Sequence, residues 1–145
     1  MLAFNKARAK FYPYNEVYLE APKKAINLPE GSPTKHQYVR LDSYVPNKEI
    51  VSRKYTQLSE VSEETAIRYL KELSDKYAPE TKIADVPSNI SGANAGIFKE
   101  NRGRTLRGQM ILEVPVQAKA IPKRVIDYAN KHYIKVRDIN GKIYN

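Results

Sequence analysis

The chain reads as an α+β domain: an antiparallel or mixed sheet with two helices, in the order ββ-α-β-β-α-ββ. Three observations predict it. Residues 37–44 alternate apolar and polar with period two, the pattern of a half-buried strand. Residues 62–77 carry Ile67, Leu70, Leu73 and Tyr77 at helical spacing. Asn140-Gly141 is a hairpin turn signal between two short apolar runs. At 145 residues the chain is one domain long enough to bury a real core.

Taken in order, residues 1–34 read as a linker or N-terminal extension, and residues 35–145 as a single domain. Pro13 and Pro22 interrupt the first segment, and Leu28–Pro33 packs Pro29, Gly31 and Pro33 into a turn. Val17, Leu19 and Ala21 alternate, enough for one short edge strand. The first main strand follows, with Tyr38, Arg40, Asp42 and Tyr44 on one face and Val39, Leu41 and Ser43 on the other. Residues 45–48 form the turn, and 49–56 the second strand. Ser62 is a good N-cap for the next helix, Glu63 and Glu64 suit its positive end, and Pro79 stops it. Residues 82–86 form a short strand ending at Pro87.

Residues 88–108 hold four of the six glycines together with Arg102, Arg104 and Arg107, and read as a long mobile loop beside the site. Residues 109–116 form the strongest strand, with Met110, Leu112, Val114 and Val116 on one face. Pro122 suits the first turn of a second helix running to His132, with Val125, Ile126 and Ala129 inward. Residues 134–139 form a strand, and 142–144 pair back on it.

Composition narrows the function. Twenty-five Lys and Arg against 16 Asp and Glu leave a net charge of +9. That balance favours a nucleic acid, an anionic surface or an acidic protein as partner. The absence of Cys excludes disulfides and thiolate metal sites, and two isolated histidines are too few for zinc. No stretch approaches the roughly 18 apolar residues of a membrane span. No cofactor is expected. Walker, GxGxxG, HExxH and GxSxG motifs are missing.

The candidate chemistry lies on the first two main strands. Cleaving RNA without a metal needs a base for the 2′-hydroxyl, an acid for the leaving oxygen, and cations around the phosphorane. Arg40, Asp42, Lys54 and Thr56 supply these groups on adjacent strands, where same-face residues stand about 5 Å apart. His36, just before the first strand, is a further acid–base candidate. Arg53 and the loop arginines Arg102, Arg104 and Arg107 are candidate phosphate binders. Several of the 11 tyrosines, Tyr12, Tyr14, Tyr38, Tyr44 and Tyr55 among them, suit base stacking as well as a core edge. His132 fits a dipole-stabilising place at a helix C-terminus. The same strand residues also fit an ordinary cross-strand ion pair. A second chemistry, NAD cleavage or ADP-ribosyl transfer, would draw on Arg40, then Ser52 or Thr56, then Glu113 or Gln117. A third reading is a non-enzymatic module that grips nucleic acid or protein.

The segments YVRLDSYVP (38–46), EIVSRKYTQL (49–58), KIADVPSN (82–89), LRGQMILEVPVQ (106–117) and IKVRDINGKIY (134–144) resemble the C-terminal effector domains of bacterial polymorphic toxins. Those domains sit at the ends of contact-dependent inhibition, Rhs-type and phage-head-linked proteins. The resemblance implies a domain delivered by a secreted or cell-surface carrier and acting in the target-cell cytoplasm. It implies a metal-independent ribonuclease of barnase-like architecture, tRNA being one substrate class, or else an NAD-consuming toxin. It also implies a monomer silenced by an acidic cognate immunity protein.

Overall fold

A computed structural model describes residues 2–22 and 37–145; His36 lies outside the described residues. The chain forms α1 (Leu2–Ala9), β1 (Tyr14–Glu20), β2 (Tyr38–Val45), β3 (Glu49–Arg53) and α2 (Glu63–Lys76). It continues through α3 (Pro87–Ile90), a 3-10 turn (Gly92–Asn94), α4 (Ile97–Glu100), β4 (Gln109–Val114), α5 (Lys123–Lys131) and β5 (Ile134–Asp138). The five strands form one mixed sheet in the order β1-β2-β3-β4-β5. β1, β2 and β3 are antiparallel neighbours, whereas β3, β4 and β5 run parallel. The α+β mixed sheet is therefore as expected. The two-helix order is corrected: the described residues hold five helices, and parallel neighbours require the crossover elements α2 and α5 between them.

The strongest local signals sit where the elements begin. The Ser62 side chain accepts from the Thr65 backbone N–H at 3.1 Å and caps α2. Ala66, Leu70 and Leu73 form its buried stripe. α2 and α5 pack on each other and against β4 and β5. Their apolar side chains join Ile50, Leu112 and Val136 in one core. In the parallel register Ser52, Leu112 and Val136 stand side by side, and the next row is Arg53, Glu113 and Arg137. Successive residues of a strand point to opposite faces. The core row therefore faces the helices, and the charged row faces away.

Residues 2–22 are not a linker. Tyr14, Val17 and Leu19 are buried in the core, and β1 completes the sheet beside β2. Nor are residues 88–108 a loop without structure. Asn89 donates to the Tyr18 and Ala84 carbonyls at 2.8 and 2.7 Å and accepts from the Tyr18 N–H. Asn94 likewise serves the N–H and C=O of Asn15. A carboxamide offers a donor and an acceptor, as a peptide unit does, so these two side chains stand in for a neighbouring strand along β1. Together with the Leu19–Ile83 bridge they cover the sheet edge. The strand expected at 82–86 is reduced to bridges at Lys82 and Ile83, and residues 142–144 pair back through one bridge, Arg137 to Ile143.

Gly108 ties this segment to the β2–β3 turn. Its φ is +131°, and a Cβ there would lie 2.4 Å from the Lys48 carbonyl carbon. Gly108→Ala is expected to destabilise the domain by about 2–4 kcal/mol, from backbone strain plus overpacking against fixed main chain. Thermal melting of the variant measures it; an unchanged melting temperature would show that the turn yields freely.

Candidate functional site

Arg53 donates through Nε to Glu113 Oε1 at 2.7 Å, and each side chain is 1% exposed. Their pairing follows from the parallel register, which sets them directly opposite. Arg8 of α1 reaches the same carboxylate at 3.2 and 3.4 Å, and the Tyr12 hydroxyl donates to Oε2. Arg137 bonds Glu49 at 2.7 and 3.0 Å and donates to the Tyr12 hydroxyl at 3.0 Å. On the other side Arg53 donates to Ser43 Oγ, which donates in turn to Asn15. Burial would push the Glu113 carboxyl up, but the Arg8, Tyr12 and Arg53 donors outweigh it and hold it below its ordinary value. Burial, reinforced by Glu113, pushes the Tyr12 phenol up. Both oxygens of Glu113 are taken and the group is closed to solvent, so this network is a charged buttress rather than an acid–base centre.

The cleft beside it is built differently. β2 and β3 pair only from Ser43 to Val45; beyond that β2 continues with β1 and β3 with β4. Where the two strands splay, α1 crosses above them and encloses a space of about 430 Å³. Asn5 and Lys6 line it from α1, Asn15 and Glu16 from β1, Arg40 and Asp42 from β2, and Arg53 from β3. Asp42 sits in the splay because the Arg53 N–H has no strand partner there; Oδ2 accepts that N–H at 2.7 Å. Burial raises the Asp42 carboxyl above its ordinary value, and the Arg53 N–H and the Arg53 and Lys54 charges offset this only in part. Arg40 is 56% exposed and 3.9 Å from an exposed Glu16. Lys6 has no ion-pair partner among the described residues. Asn5 Oδ1 is buried without a hydrogen-bond partner. The cleft thus sets a carboxyl of raised proton affinity beside Arg40, whose partner Glu16 is itself exposed, and Lys6, which has no ion-pair partner among the described residues.

The structure brings Arg40 and Asp42 together, with Arg53 behind them. Arg53 is enclosed in its ion pair, so its guanidinium braces the cleft wall rather than meeting a phosphate directly. Lys54 turns to α2, where it lies 3.5 Å from Glu72 and over the Tyr69 ring. Thr56 lines a separate hollow with Tyr55, Gln57 and Glu60. Arg104 pairs with Asp85 at 3.3 Å and stacks on Phe98. Arg107 donates to the Arg102 carbonyl at 2.7 Å. The Arg102 N–H is held by Asn47 in the β2–β3 turn, so Arg102 and Arg107 lie at the opposite end of β3 from Arg53. His132 stacks on Tyr128 at the end of α5. The residues suggested for NAD chemistry are not assembled: Ser52 is buried, Glu113 is saturated, and Gln117 bonds the Thr56 carbonyl and the Leu58 N–H. Among the described residues no three His, Asp or Glu side chains group closely enough to hold a metal ion. No helix among them is long and apolar enough to cross a membrane.

Sequence reasoning missed Arg8, Lys6 and Arg137, and named Tyr12 only as a stacking candidate. The signals were a segment bearing Lys6, Arg8 and Lys10 with no acid before Glu16, a lone Glu113 inside the apolar run MILEV, and Arg137 in the alternating run IKVRD. Comparison with known protein families, curated proteins and solved structures finds no match for this chain.

Proposed function

We propose that this chain is a ribonuclease domain of the toxin-effector kind, cutting RNA in the cleft where β2 and β3 splay. One observation carries the reading: Asp42, a carboxyl with raised proton affinity, lines the same cleft as the exposed cations Arg40 and Lys6. A carboxyl with raised proton affinity is, once ionised, a stronger base than an ordinary one. In the reaction Asp42 takes the proton of the ribose 2′-hydroxyl. That oxygen attacks the adjacent phosphorus, the bond to the 5′-oxygen breaks, and the departing oxygen is protonated from solvent at the open mouth. Arg40 and Lys6 stabilise the charge gathering on the phosphoryl oxygens. The net charge of +9 supports a polyanionic substrate and, in the same reading, an acidic immunity protein that covers the cleft.

The test is incubation with total RNA and, separately, with NAD, each with and without a chelator. RNA cleavage that survives the chelator is the expected result. Arg40→Ala should slow it about 100- to 1000-fold, the usual worth of a positioned cation. Its exposed contact with Glu16 is worth roughly 0–1 kcal/mol, so the fold should be untouched. An intact wild type that consumes NAD and leaves RNA whole overturns the proposal.

A further inference from the structure

We infer that the N-terminal element, from α1 to Tyr12, is a grip for single-stranded RNA in which the Phe11 ring stacks a base beside the cleft. The inference rests on the ribonuclease reading and deepens it by naming the substrate form. Phe11 is 63% exposed although it follows directly on a helix docked into the fold. The Arg8 guanidinium lies 4.6 Å from its ring centroid and the Lys10 ammonium 5.3 Å. A ring flanked by cations is the arrangement that holds a base by stacking and its phosphate by charge.

The platform is rigidly mounted. Arg8 and Tyr12, on either side of Phe11, are both anchored to Glu113. Asn15 donates to the Ala9 and Tyr12 carbonyls and closes the turn after α1. Phe4 packs against Tyr55 at 5.2 Å and fixes the start of the helix. Charge complementarity points to the occupant. Residues 1–15 contain Lys6, Arg8 and Lys10 and no carboxylate. Lys6 and Lys10 have no ion-pair partner among the described residues, and Lys6 also lines the cleft. Lys10, four residues on from the cleft-lining Lys6, lies over the Phe11 ring, so positive charge runs from the cleft residue to the ring. Phe4 is packed on Tyr55, which leaves Phe11 as the exposed ring beside these cations, and a single exposed ring is enough to stack a base. Stacking on a side chain demands an unpaired base, which selects single strands over duplex.

The experiment uses the full chain and a short fluorescein-labelled 2′-O-methyl oligouridine, which cannot be cut, read by fluorescence anisotropy at fixed salt. Wild type should bind it more tightly than a duplex of equal length. Phe11→Ala should weaken binding about tenfold or more, as loss of one stacked base does, while Phe11→Trp restores it. Unchanged melting temperatures confirm that both variants fold. If wild type cuts RNA but Phe11→Ala binds as wild type does, the grip is wrong and the ribonuclease reading stands. If wild type neither binds nor cuts RNA, both fall. Phe11-dependent binding to phosphatidylserine vesicles without binding to oligouridine overturns the inference in favour of a membrane surface.

Discussion

Glu113→Gln is expected to destabilise the domain by about 3–5 kcal/mol, the usual cost of removing one partner of a buried ion pair. The substitution keeps the shape of the side chain and removes its charge. Arg53, 1% exposed, is then left buried without a counter-charge, and Arg8 loses its only ion-pair partner among the described residues. Against a total stability of roughly 5–15 kcal/mol for a domain, that loss is large. Denaturant unfolding measures it. The informative companion is the double replacement Arg53→Met with Glu113→Leu, which swaps the pair for apolar volume and should recover most of the loss. If Glu113→Gln melts like wild type, the pair is not as closed to water as its burial indicates. The pH dependence has a fixed sign. The folded carboxyl lies below its unfolded value, so its contribution is complete above about 4.5 and disappears as pH falls through the lower folded value. Acid should therefore weaken wild type more than the double variant.

Asp42→Asn should do the reverse: abolish cleavage and spare the fold. Loss of a general base costs about 100- to 10,000-fold in rate. The asparagine Oδ1 still accepts the Arg53 N–H, so the one hydrogen bond this side chain makes among the described residues survives. The sign of linkage is opposite to that of Glu113. The folded Asp42 carboxyl lies above its unfolded value, so ionising it costs stability as pH rises through the folded value. The neutral amide removes that cost, and the variant should melt at or above the wild-type temperature at neutral pH. An Asp42→Asn protein that cuts RNA at near wild-type rate sinks the assignment; one that unfolds shows that Asp42 holds the splay together instead.

What was legible in the chain was whatever neighbours in sequence decide. The Ser62 cap and the Leu70–Leu73 stripe define α2 with few long-range contacts, and the MILEV run could hardly be anything but an inner strand. The alternation around Asp42 likewise puts Arg40 and Asp42 together, and both line the cleft. The rest depends on register. Arg53, Glu113 and Arg137 lie on three strands separated by helices, and they form a row only because α2 and α5 return the chain in parallel. α1 has no acidic residue in its first turn to announce its start. Its place is set by Arg8 reaching a carboxylate far along the chain. The glycines and arginines of residues 88–108 suggested freedom, whereas three buried asparagines hold that segment in place, and nothing local marks an asparagine as buried. Lys54 and Thr56 were assigned to the site by alternation, but β3 ends at Arg53, and beyond it the period-two rule no longer applies.

The strand order β1-β2-β3-β4-β5 bears on how the domain comes into being. Each strand lies beside its sequence neighbours, so each new strand can dock on an edge already made. Loop closure at every step is short, and the sheet can assemble in the order in which the chain leaves the ribosome. The longest contacts of the N-terminal segment break that order. Arg8 meets Glu113 across 105 positions, and Tyr12 meets Arg137 across 125. Helix α1 is therefore secured only once β4 and β5 have followed it. Until β4 and β5 are in place Arg8 and Tyr12 lack their partners Glu113 and Arg137, so α1, which lines the cleft through Asn5 and Lys6, is not yet held over the sheet.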